Sequence, residues 1–316
     1  MNFQQLRILR ETVRQDFNLT TVANTLFTSQ PGVSKHIKDL EDELGVEIFI
    51  RRGKRLLGLT EPGREVLGVV ERILRDTQNV RNIAGHFASR ESGSLTIATT
   101  HTQARYALPE VIKQFRIEYP SVRLVLHQGS PREIAGLLAA GEADIAIATE
   151  GLAGVPEIAS FPCHTWHHAV IAPRGHPLAA LKEITLADVA EYPIVTYQEG
   201  FTGRANIDRC FADAGLAPDI VLSAIDADVI KTYVDVGLGV GIIAAMAYHP
   251  ERDAGLIRLD VPDLFTVNTT RLAIRRGVYL RGYAHGLIRK LLPGLTEEKM
   301  IQIQRGETET GEDFVI

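Results

Sequence analysis

The sequence predicts an α/β protein: an N-terminal winged helix-turn-helix, a long linker helix, and a two-lobed α/β domain. Three observations lead to this order. Residues 1–60 hold three short amphipathic helical patterns followed by a basic hairpin pattern. One long helical pattern comes next. From residue 93 onward, β-branched runs alternate with helical patterns, which is typical of parallel sheets covered by helices.

Composition and charge narrow the class of protein. The 316 residues are enough for two or three domains. With only Cys163 and Cys210, no signal-peptide pattern and no apolar run of the roughly 20 residues that span a bilayer, we expect a cytoplasmic protein without disulfides. The net charge is −5, yet residues 1–90 carry 14 Lys and Arg against 11 Asp and Glu. This asymmetry indicates that only the first segment contacts nucleic acid.

The first sixty residues have the pattern of a helix-turn-helix. Asn18 or Thr20 can cap a second short helix, and Ser29 can cap a third, which has Pro31 in its first turn and Gly45 at its end. The third helix has one apolar face, and its N-terminal end carries amide, hydroxyl and ammonium groups. Such helices enter the major groove N-terminal end first. The candidate groove residues are Ser29, Gln30, Pro31, Ser34, Lys35 and Lys38.

A basic, glycine-containing turn between two short strand patterns follows this helix. Cations at the tip of such a hairpin can hold phosphates across a groove. A charge run on its own is more often a solvated surface, but here it follows a helix-turn-helix in the order of a wing. We expect base-edge contacts from Gln30 and Lys35, and phosphate contacts from Arg51, Arg52, Lys54 and Arg55.

The linker pattern predicts a dimerising helix. Thr60 can cap it and Pro62 suits its first turn. Its apolar residues recur at roughly coiled-coil spacing, and a stripe of that length after a small domain is best buried against a second copy of the chain. The Ser- and Gly-containing segment Ala88–Ser94 is typical of a hinge, and the acidic C-terminal tail is typical of disorder. The predicted parts are therefore residues 1–60, 61–92, 93–300 and 301–316.

Neutral hydrogen-bond donors cluster at strand and helix ends in the α/β domain. Two such lobes place a ligand cleft outside the carboxyl ends of their strands. Helix N-termini there offer unpaired N–H groups and a positive dipole end, so hydroxyls beside them can bind an anion without Lys or Arg. A single threonine at such a place is more often only a cap. The set that favours a ligand site is Thr100, Thr102, Gln103, Thr149 and Thr202.

Two stretches resemble a known family. "NLTTVANTLFTSQPGVSKHIKDLEDELGVEIFIRRGKRLLGLTEPG" resembles the N-terminal signature of LysR-type transcriptional regulators. "TSQPGVSKHIKDLEDELG" and "TIATTHTQARYALP" together resemble the CysB branch of that family, which controls sulfur assimilation. The resemblance runs from Met1 to Leu295. It implies a dimerising linker helix, an effector domain that resembles periplasmic binding proteins, and assembly as a homotetramer.

The resemblance also implies the division of the effector domain and its ligand. Lobe I would comprise residues 93–162 and 266–300, and lobe II residues 163–265. The effector would be sulfate, N-acetylserine or O-acetylserine, with no further cofactor. Double-stranded promoter DNA and further copies of the chain would be the partners, with RNA polymerase left open. The implied effector contacts are Thr100, Thr102, Gln103, Thr149 and Thr202, with Trp166 nearby.

We therefore predict a DNA-binding regulator of sulfur assimilation, covering cysteine biosynthesis and the use of sulfate or sulfonates. Its effector would change the angle between the lobes, and with it the subunit arrangement and DNA bending. A LysR-type regulator of a different small acid or amino acid stays open, because such lobes change ligand with few substitutions.

Other classes fit less well. A solute-binding transport protein would need a signal peptide and no helix-turn-helix. An enzyme would need a reactive group, and threonines without an adjacent base do not supply one. The run Cys163–His168 looks metal-like, but its side chains would alternate along a strand, so we predict no metal.

Overall fold

The computed structural model describes residues 1–53, 55–88, 92–259, 261 and 264–304. The chain divides into two compact units, residues 1–87 and 88–316. The first unit is a winged helix-turn-helix followed by a long helix. Its elements are α1 Phe3–Arg14, α2 Leu19–Thr25, α3 Gln30–Leu44, the antiparallel strands β1 Phe49–Arg52 and β2 Arg55–Leu59, and α4 Glu61–Ala88.

Local capping explains where these helices begin and end. Asn18 accepts hydrogen bonds from Thr20 and Thr21 N–H at the start of α2, and Ser29 Oγ accepts from Gly32 N–H at the start of α3. Gly45 ends α3 in the left-handed region, at φ +69°. The predicted third helix is thus present with its predicted caps.

The core of this unit joins all its helices. Apolar residues of α1, α2, α3 and the wing pack with Val70 and Leu74 of α4. Farther along α4, Val80 is 66% exposed and Ile83 is also exposed. The first half of the predicted linker stripe is therefore used inside the unit, whereas Val80 and Ile83 of the second half are exposed.

The second unit contains two five-stranded sheets, one in each lobe. In lobe I the strand order is β4-β3-β5-β12-β6, and in lobe II it is β11-β7-β10-β8-β9. Lobe I has β3 Gly93–Thr99, α5 Pro109–Glu118, β4 Val122–Gln128, α6 Pro131–Ala140, β5 Ile145–Ala148, β6 Ile158–Trp166, β12 Asn268–Arg275, α10 Gly282–Leu291 and α11 Glu297–Gln304. Lobe II has β7 His168–Pro173, α7 Leu186–Ala190, β8 Ile194–Tyr197, α8 Arg204–Asp213, β9 Ile220–Ala224, α9 Ala227–Asp235, β10 Val240–Ala244 and β11 Leu256–Leu259.

The predicted start of lobe II at residue 163 is too early. Strand β6 continues through Trp166, where Thr165 pairs with Thr269 and Trp166 with Asn268 of β12. Because backbone pairing holds these residues in the first sheet, the chain enters lobe II only at His168. It returns to the first sheet with β12, as the resemblance implied.

Two further details differ from expectation. Between β3 and β4 the helical pattern forms two elements, a π-helical turn over Gln103–Ala107 and then α5, which starts at Pro109. Helix α11 extends to Gln304, so residues 301–304 of the predicted disordered tail are helical. The remainder of the tail lies outside the described residues. Within the described residues, no helix combines the length and apolarity needed to cross a bilayer.

Candidate functional sites: the helix-turn-helix face and the inter-lobe cleft

Most predicted groove residues lie on an exposed face at the N-terminal end of α3. Gln30, Pro31, Lys35 and Lys38 are exposed, and Ser34 is half-buried. Gln30 Nε2 donates to Ser34 Oγ at 3.2 Å, so the two form one polar patch next to the Ser29 cap. Amide, hydroxyl and ammonium groups therefore share the end of α3 that was predicted to enter the major groove.

The wing cations fall into two groups. Arg52 and Arg55 are exposed and pair across the hairpin. Arg51 Nη2 instead donates to Glu41 Oε2 at 2.6 Å. Lys54, also predicted to contact phosphate, lies outside the described residues.

Sequence reasoning missed the role of Glu41. Its carboxylate is buried on α3, and its Oε1 accepts the Ile48 and Phe49 N–H groups at 2.9 and 3.1 Å. Glu41 thus links α3 to the wing through these hydrogen bonds, and Arg51 balances its charge. The sequence signal was weak, because Glu41 is one of three acidic residues between Leu40 and Leu44, and only its place next to Leu40 on the apolar face distinguishes it.

The candidate effector residues lie where the two lobes meet. Thr100, Thr102 and Gln103 are buried at the end of β3, and Thr202 is buried just before α8 of lobe II. The hydroxyls of Thr102 and Thr202 are 3.4 Å apart. Side chains separated by 100 positions therefore face each other across the cleft.

Thr149 lies at the neighbouring strand end of lobe I. β3 and β5 are parallel neighbours, so Thr100 and Thr149 follow adjacent carboxyl ends of one sheet. Thr149 is half-buried and lines a cavity of about 260 Å³ together with Gly203. Glu150 lines the same cavity, and its carboxylate accepts the Gly203 N–H. Burial raises the pKa of Glu150, because little solvent stabilises its charge.

Trp166 and Gln103 meet at one hydroxyl. Trp166 Nε1 donates to Thr270 Oγ1 at 3.1 Å, and Gln103 Nε2 donates to the same oxygen at 2.9 Å. Gln103 Oε1 is buried without a hydrogen-bond partner among the described residues. The predicted residues are thus brought together, and Thr270 is a member that the sequence did not reveal, because it lies in β12, far along the chain.

A charged cluster joins the lobes beside the cleft. Asp228 of lobe II accepts from Tyr106 Oη at 2.8 Å and pairs with Arg105 Nε at 2.6 Å, both from the π-helical turn of lobe I. Lys231 Nζ is 3.3 Å from the same carboxylate. Burial acts to raise the pKa of Asp228, but the Tyr106 hydrogen bond and the Lys231 and Arg105 charges lower it overall. These four side chains are called the Asp228 cluster below.

Metal-binding arrangements are limited among the described residues. One group, His101, Asp226 and Asp228, brings three ligand atoms within 4.8 Å of one another, but Asp228 already pairs with two cations. The side chains of the run Cys163–His168 diverge. Cys163 Sγ donates to Leu291 O at 3.3 Å inside lobe I, and burial raises its pKa to about 11. His168 is buried in lobe II.

Comparison with known families identifies the class of the protein. A model described as "Bacterial regulatory helix-turn-helix protein, lysR family" matches residues 3–64, and one described as "LysR substrate binding domain" matches residues 88–295. The chain belongs to the LysR family of transcriptional regulators. Both units of this LysR-type regulator match a domain of the family, and such proteins bind DNA and small-molecule effectors and are not enzymes.

Curated relatives match the regulator along its whole length. It is 58% identical over 305 residues to the HTH-type transcriptional regulator SsuR of Burkholderia cenocepacia, covering 96% of this chain and 99% of SsuR. It is 54% identical over 315 residues to the regulator cbl of Escherichia coli K12, covering 100% and 99% of the two chains. It is 52% identical over 312 residues to CysB of Burkholderia cenocepacia, covering 99% and 100%.

Solved structures share the fold. The cofactor-binding domain of the Cbl transcriptional regulator matches with a TM-score of 0.66 and 50% identity, covering 68% of this chain and 94% of that domain. Full-length CbnR, crystallised with its target DNA, matches with a TM-score of 0.58 and 19% identity, covering 92% and 99% of the two chains. The second likeness concerns the fold alone.

Proposed function

We propose that this LysR-type regulator controls genes of sulfur acquisition and senses a small anionic effector between its lobes. Full-length similarity to SsuR, Cbl and CysB supports the sulfur assignment. The 3.4 Å approach of the Thr102 and Thr202 hydroxyls is the observation that carries the effector site. A ligand held by both hydroxyls would join lobe I to lobe II, so its binding free energy would favour one angle between the lobes.

The proposed effectors are sulfate, N-acetylserine and O-acetylserine. Neutral hydroxyls at strand and helix ends suit such ligands, because charge-assisted hydrogen bonds to an anion are worth about 1.5–3 kcal/mol each. The nearest cation in sequence, Arg204, is directed elsewhere: Nε pairs with Asp208 at 2.7 Å and Nη1 donates to Tyr197 O at 2.5 Å. Arg271 lines the cavity beside Thr149 and donates to Ser160 through Nε and Nη2. We therefore assign ligand binding mainly to dipoles and hydroxyls.

The Gln103 amide can bind either a hydrogen-bond donor of the effector or an anionic acceptor. As placed, it presents a buried Oε1, which accepts a hydrogen bond from an effector N–H or O–H group. Trp166 N–H can only donate, so Thr270 Oγ1 accepts from it and keeps its own hydrogen. If the Gln103 amide turned by half a rotation, its oxygen would accept that hydrogen and its NH₂ would face an anion.

The DNA half of the proposal assigns the α3 patch to base edges and the wing to phosphates. Gln30 and Lys35 are the proposed base-edge residues, and Arg52 and Arg55 the proposed phosphate residues. The exposed apolar positions Val80 and Ile83 of α4 support pairing of two chains, and the family resemblance extends this to a tetramer. Light scattering on the purified chain tests the assembly, with a monomer contradicting it.

Trp166 fluorescence tests the effector site. Trp166 is the only tryptophan, so titration with sulfate, N-acetylserine and O-acetylserine has a single source of signal. We expect a saturable change that Thr102→Val weakens at least tenfold, since valine keeps the volume and removes the hydroxyl. Thr165→Val, at an exposed position of β6, is the matched control and should respond like the wild type.

The possible outcomes separate the two levels of the proposal. A saturable response that survives Thr102→Val unchanged would remove the threonine pair from the site. A folded, DNA-binding protein with no response to any of the three compounds would leave a LysR regulator of a different small acid or amino acid.

A further inference from the structure

The backbone at Thr202 and Gly203 takes an unusual form. Thr202 has φ +44° and Gly203 has φ +71°, so two successive residues lie in the left-handed region. For a β-branched residue such as threonine this conformation is a genuine outlier. Such a backbone persists only where surrounding contacts hold it, and in this chain it carries the hydroxyl that faces Thr102.

A directed chain of hydrogen bonds ends at this backbone. Asn206 Nδ2 donates to Asn268 Oδ1 at 2.7 Å, which turns the Asn268 NH₂ toward His168. Asn268 Nδ2 then lies 3.3 Å from His168 Nδ1, and His168 Nε2 lies 2.9 Å from Thr202 O. Because Nδ1 accepts from an NH₂ group, the ring hydrogen is on Nε2 and is donated to the Thr202 carbonyl.

The surroundings keep His168 in this state. It is 1% exposed, and its ring makes T-shaped contacts with the rings of Trp166 and Phe265. Burial lowers the pKa of His168 to about 4, so the ring is neutral near pH 7 and has one N–H to give. A Cβ at Gly203 would lie 2.3 Å from Asn268 Oδ1 and 2.8 Å from His168 Cε1, so the loop is packed directly on this pair.

We propose that His168 is a positioning residue for effector binding: its Nε2–H holds the Thr202 carbonyl and thereby turns the Thr202 hydroxyl toward Thr102. Asn268 acts through His168 by selecting its tautomer. His168 does not touch the ligand in this scheme, and the inference rests on the proposed effector site between Thr102 and Thr202.

A positioning role and a packing role predict different results. If His168 only filled space, an apolar replacement of similar size would change stability, but the protein that still folds would bind the effector with wild-type affinity. If His168 positions Thr202, effector affinity should fall in variants that lack the N–H donor and stay near the wild-type value in variants that keep it. His168→Leu removes the donor, whereas His168→Gln restores an amide N–H at the same number of bonds from the backbone.

The experiment is Trp166 fluorescence titration of the full chain with whichever of sulfate, N-acetylserine and O-acetylserine saturates the wild type. We expect His168→Leu to weaken binding at least tenfold and His168→Gln to remain within about threefold of the wild type. Ile171→Val, in the core of the same strand, controls for reduced stability and should bind normally. His168→Leu combined with Thr202→Val should bind no more weakly than Thr202→Val alone, because both changes remove one interaction.

The contrary results are equally defined. Wild-type affinity in a folded His168→Leu protein, equal losses in His168→Leu and His168→Gln, or additive losses in the double variant would each overturn the inference. If the wild type responds to none of the three compounds, the proposed effector assignment fails separately. The inference is then decided by crystal structures of the wild type and His168→Leu: a positive Thr202 φ in both refutes it, and a positive value that becomes negative in the variant supports it.

Discussion

The helix-turn-helix face and the inter-lobe cleft are built by opposite rules. On the face, Ser29 Oγ caps the N–H of Gly32 three residues on, and Gln30 reaches Ser34 four residues on. In the cleft, Thr102 meets a side chain 100 positions away, and Gln103 meets Thr270 at a distance of 167 positions. A face built from one helix depends on local sequence, whereas the cleft depends on two lobes and the strands that join them.

This difference predicts which substitutions should change only one function and which should change more than one. A change on the α3 patch should alter DNA binding and little else. A change in the cleft should alter both effector binding and the relation between the lobes, because the same side chains serve both. Three substitutions test how far this contrast holds, and they follow in order of expected size.

Glu41→Ala should have the largest effect, a loss of unfolding free energy of the first unit. It tests whether this unit depends on contacts between residues farther apart than one helical turn. The change leaves the Ile48 and Phe49 N–H groups and Arg51 without their carboxylate. Leaving the two buried N–H groups without their acceptor costs about 3 kcal/mol of unfolding free energy. Urea unfolding followed by circular dichroism should show early loss of the first unit, while Trp166 fluorescence, from the second unit, stays unchanged.

Asp42→Ala is the matched control for Glu41→Ala, because Asp42 is the exposed neighbour on the same helix. A Glu41→Ala protein that unfolds at the wild-type urea concentration would show that the wing is held without this carboxylate.

Arg52→Ala should weaken DNA binding about tenfold for all sequences alike and lower the slope of log affinity against log salt by about 1. Arg52 is exposed at the wing and carries no base information in this scheme. Filter binding or fluorescence anisotropy at several salt concentrations measures both quantities. Arg51→Ala should lower stability as well, because Arg51 pairs with Glu41. An unchanged salt slope for Arg52→Ala would contradict the wing assignment.

Tyr106→Phe should have the smallest effect, about 1 kcal/mol or roughly fivefold in effector affinity, because it removes one hydrogen bond to Asp228 between the lobes. Tyr233→Phe, on the same helix as Asp228 and exposed, is the control. Equal effector affinity in Tyr106→Phe and wild type would show that the Asp228 cluster does not contribute to closing the lobes.

The Asp228 cluster also predicts a pH dependence. The folded protein lowers the pKa of Asp228, so its ionised form stabilises the contact between the lobes at all pH values above the ordinary aspartate range. That contribution is lost only as the pH falls through the lowered value. Titration of Asp228 should therefore cause no pH dependence of effector affinity near neutral pH, and Asp228→Asn should abolish the part of any acid-induced weakening that this residue causes.

Local signals made the first unit predictable. Ser29, Pro31 and Gly45 mark the limits of α3, a helix of 15 residues, and the structure has those limits. Arg51 shows what local sequence does not predict. Its charge suggested a phosphate contact, and only the fold shows that it pairs with Glu41. In the cleft, the strand ends at Thr100 and Thr149 were visible as patterns. Thr270 was not, because nothing in its strand distinguishes its hydroxyl until β12 lies beside β6.

Strand β12 has a consequence for the order in which the protein can be made. It lies between β5 and β6 in the sheet of lobe I. These two strands therefore cannot join one sheet until Asn268–Arg275 have been synthesised. Lobe II, from His168 to Leu259, is continuous in the chain. During synthesis from the N-terminus, lobe II is therefore the first lobe whose sheet can be completed. The sheet of lobe I, which bears Thr102, can be completed only after the last sixth of the chain has begun to emerge.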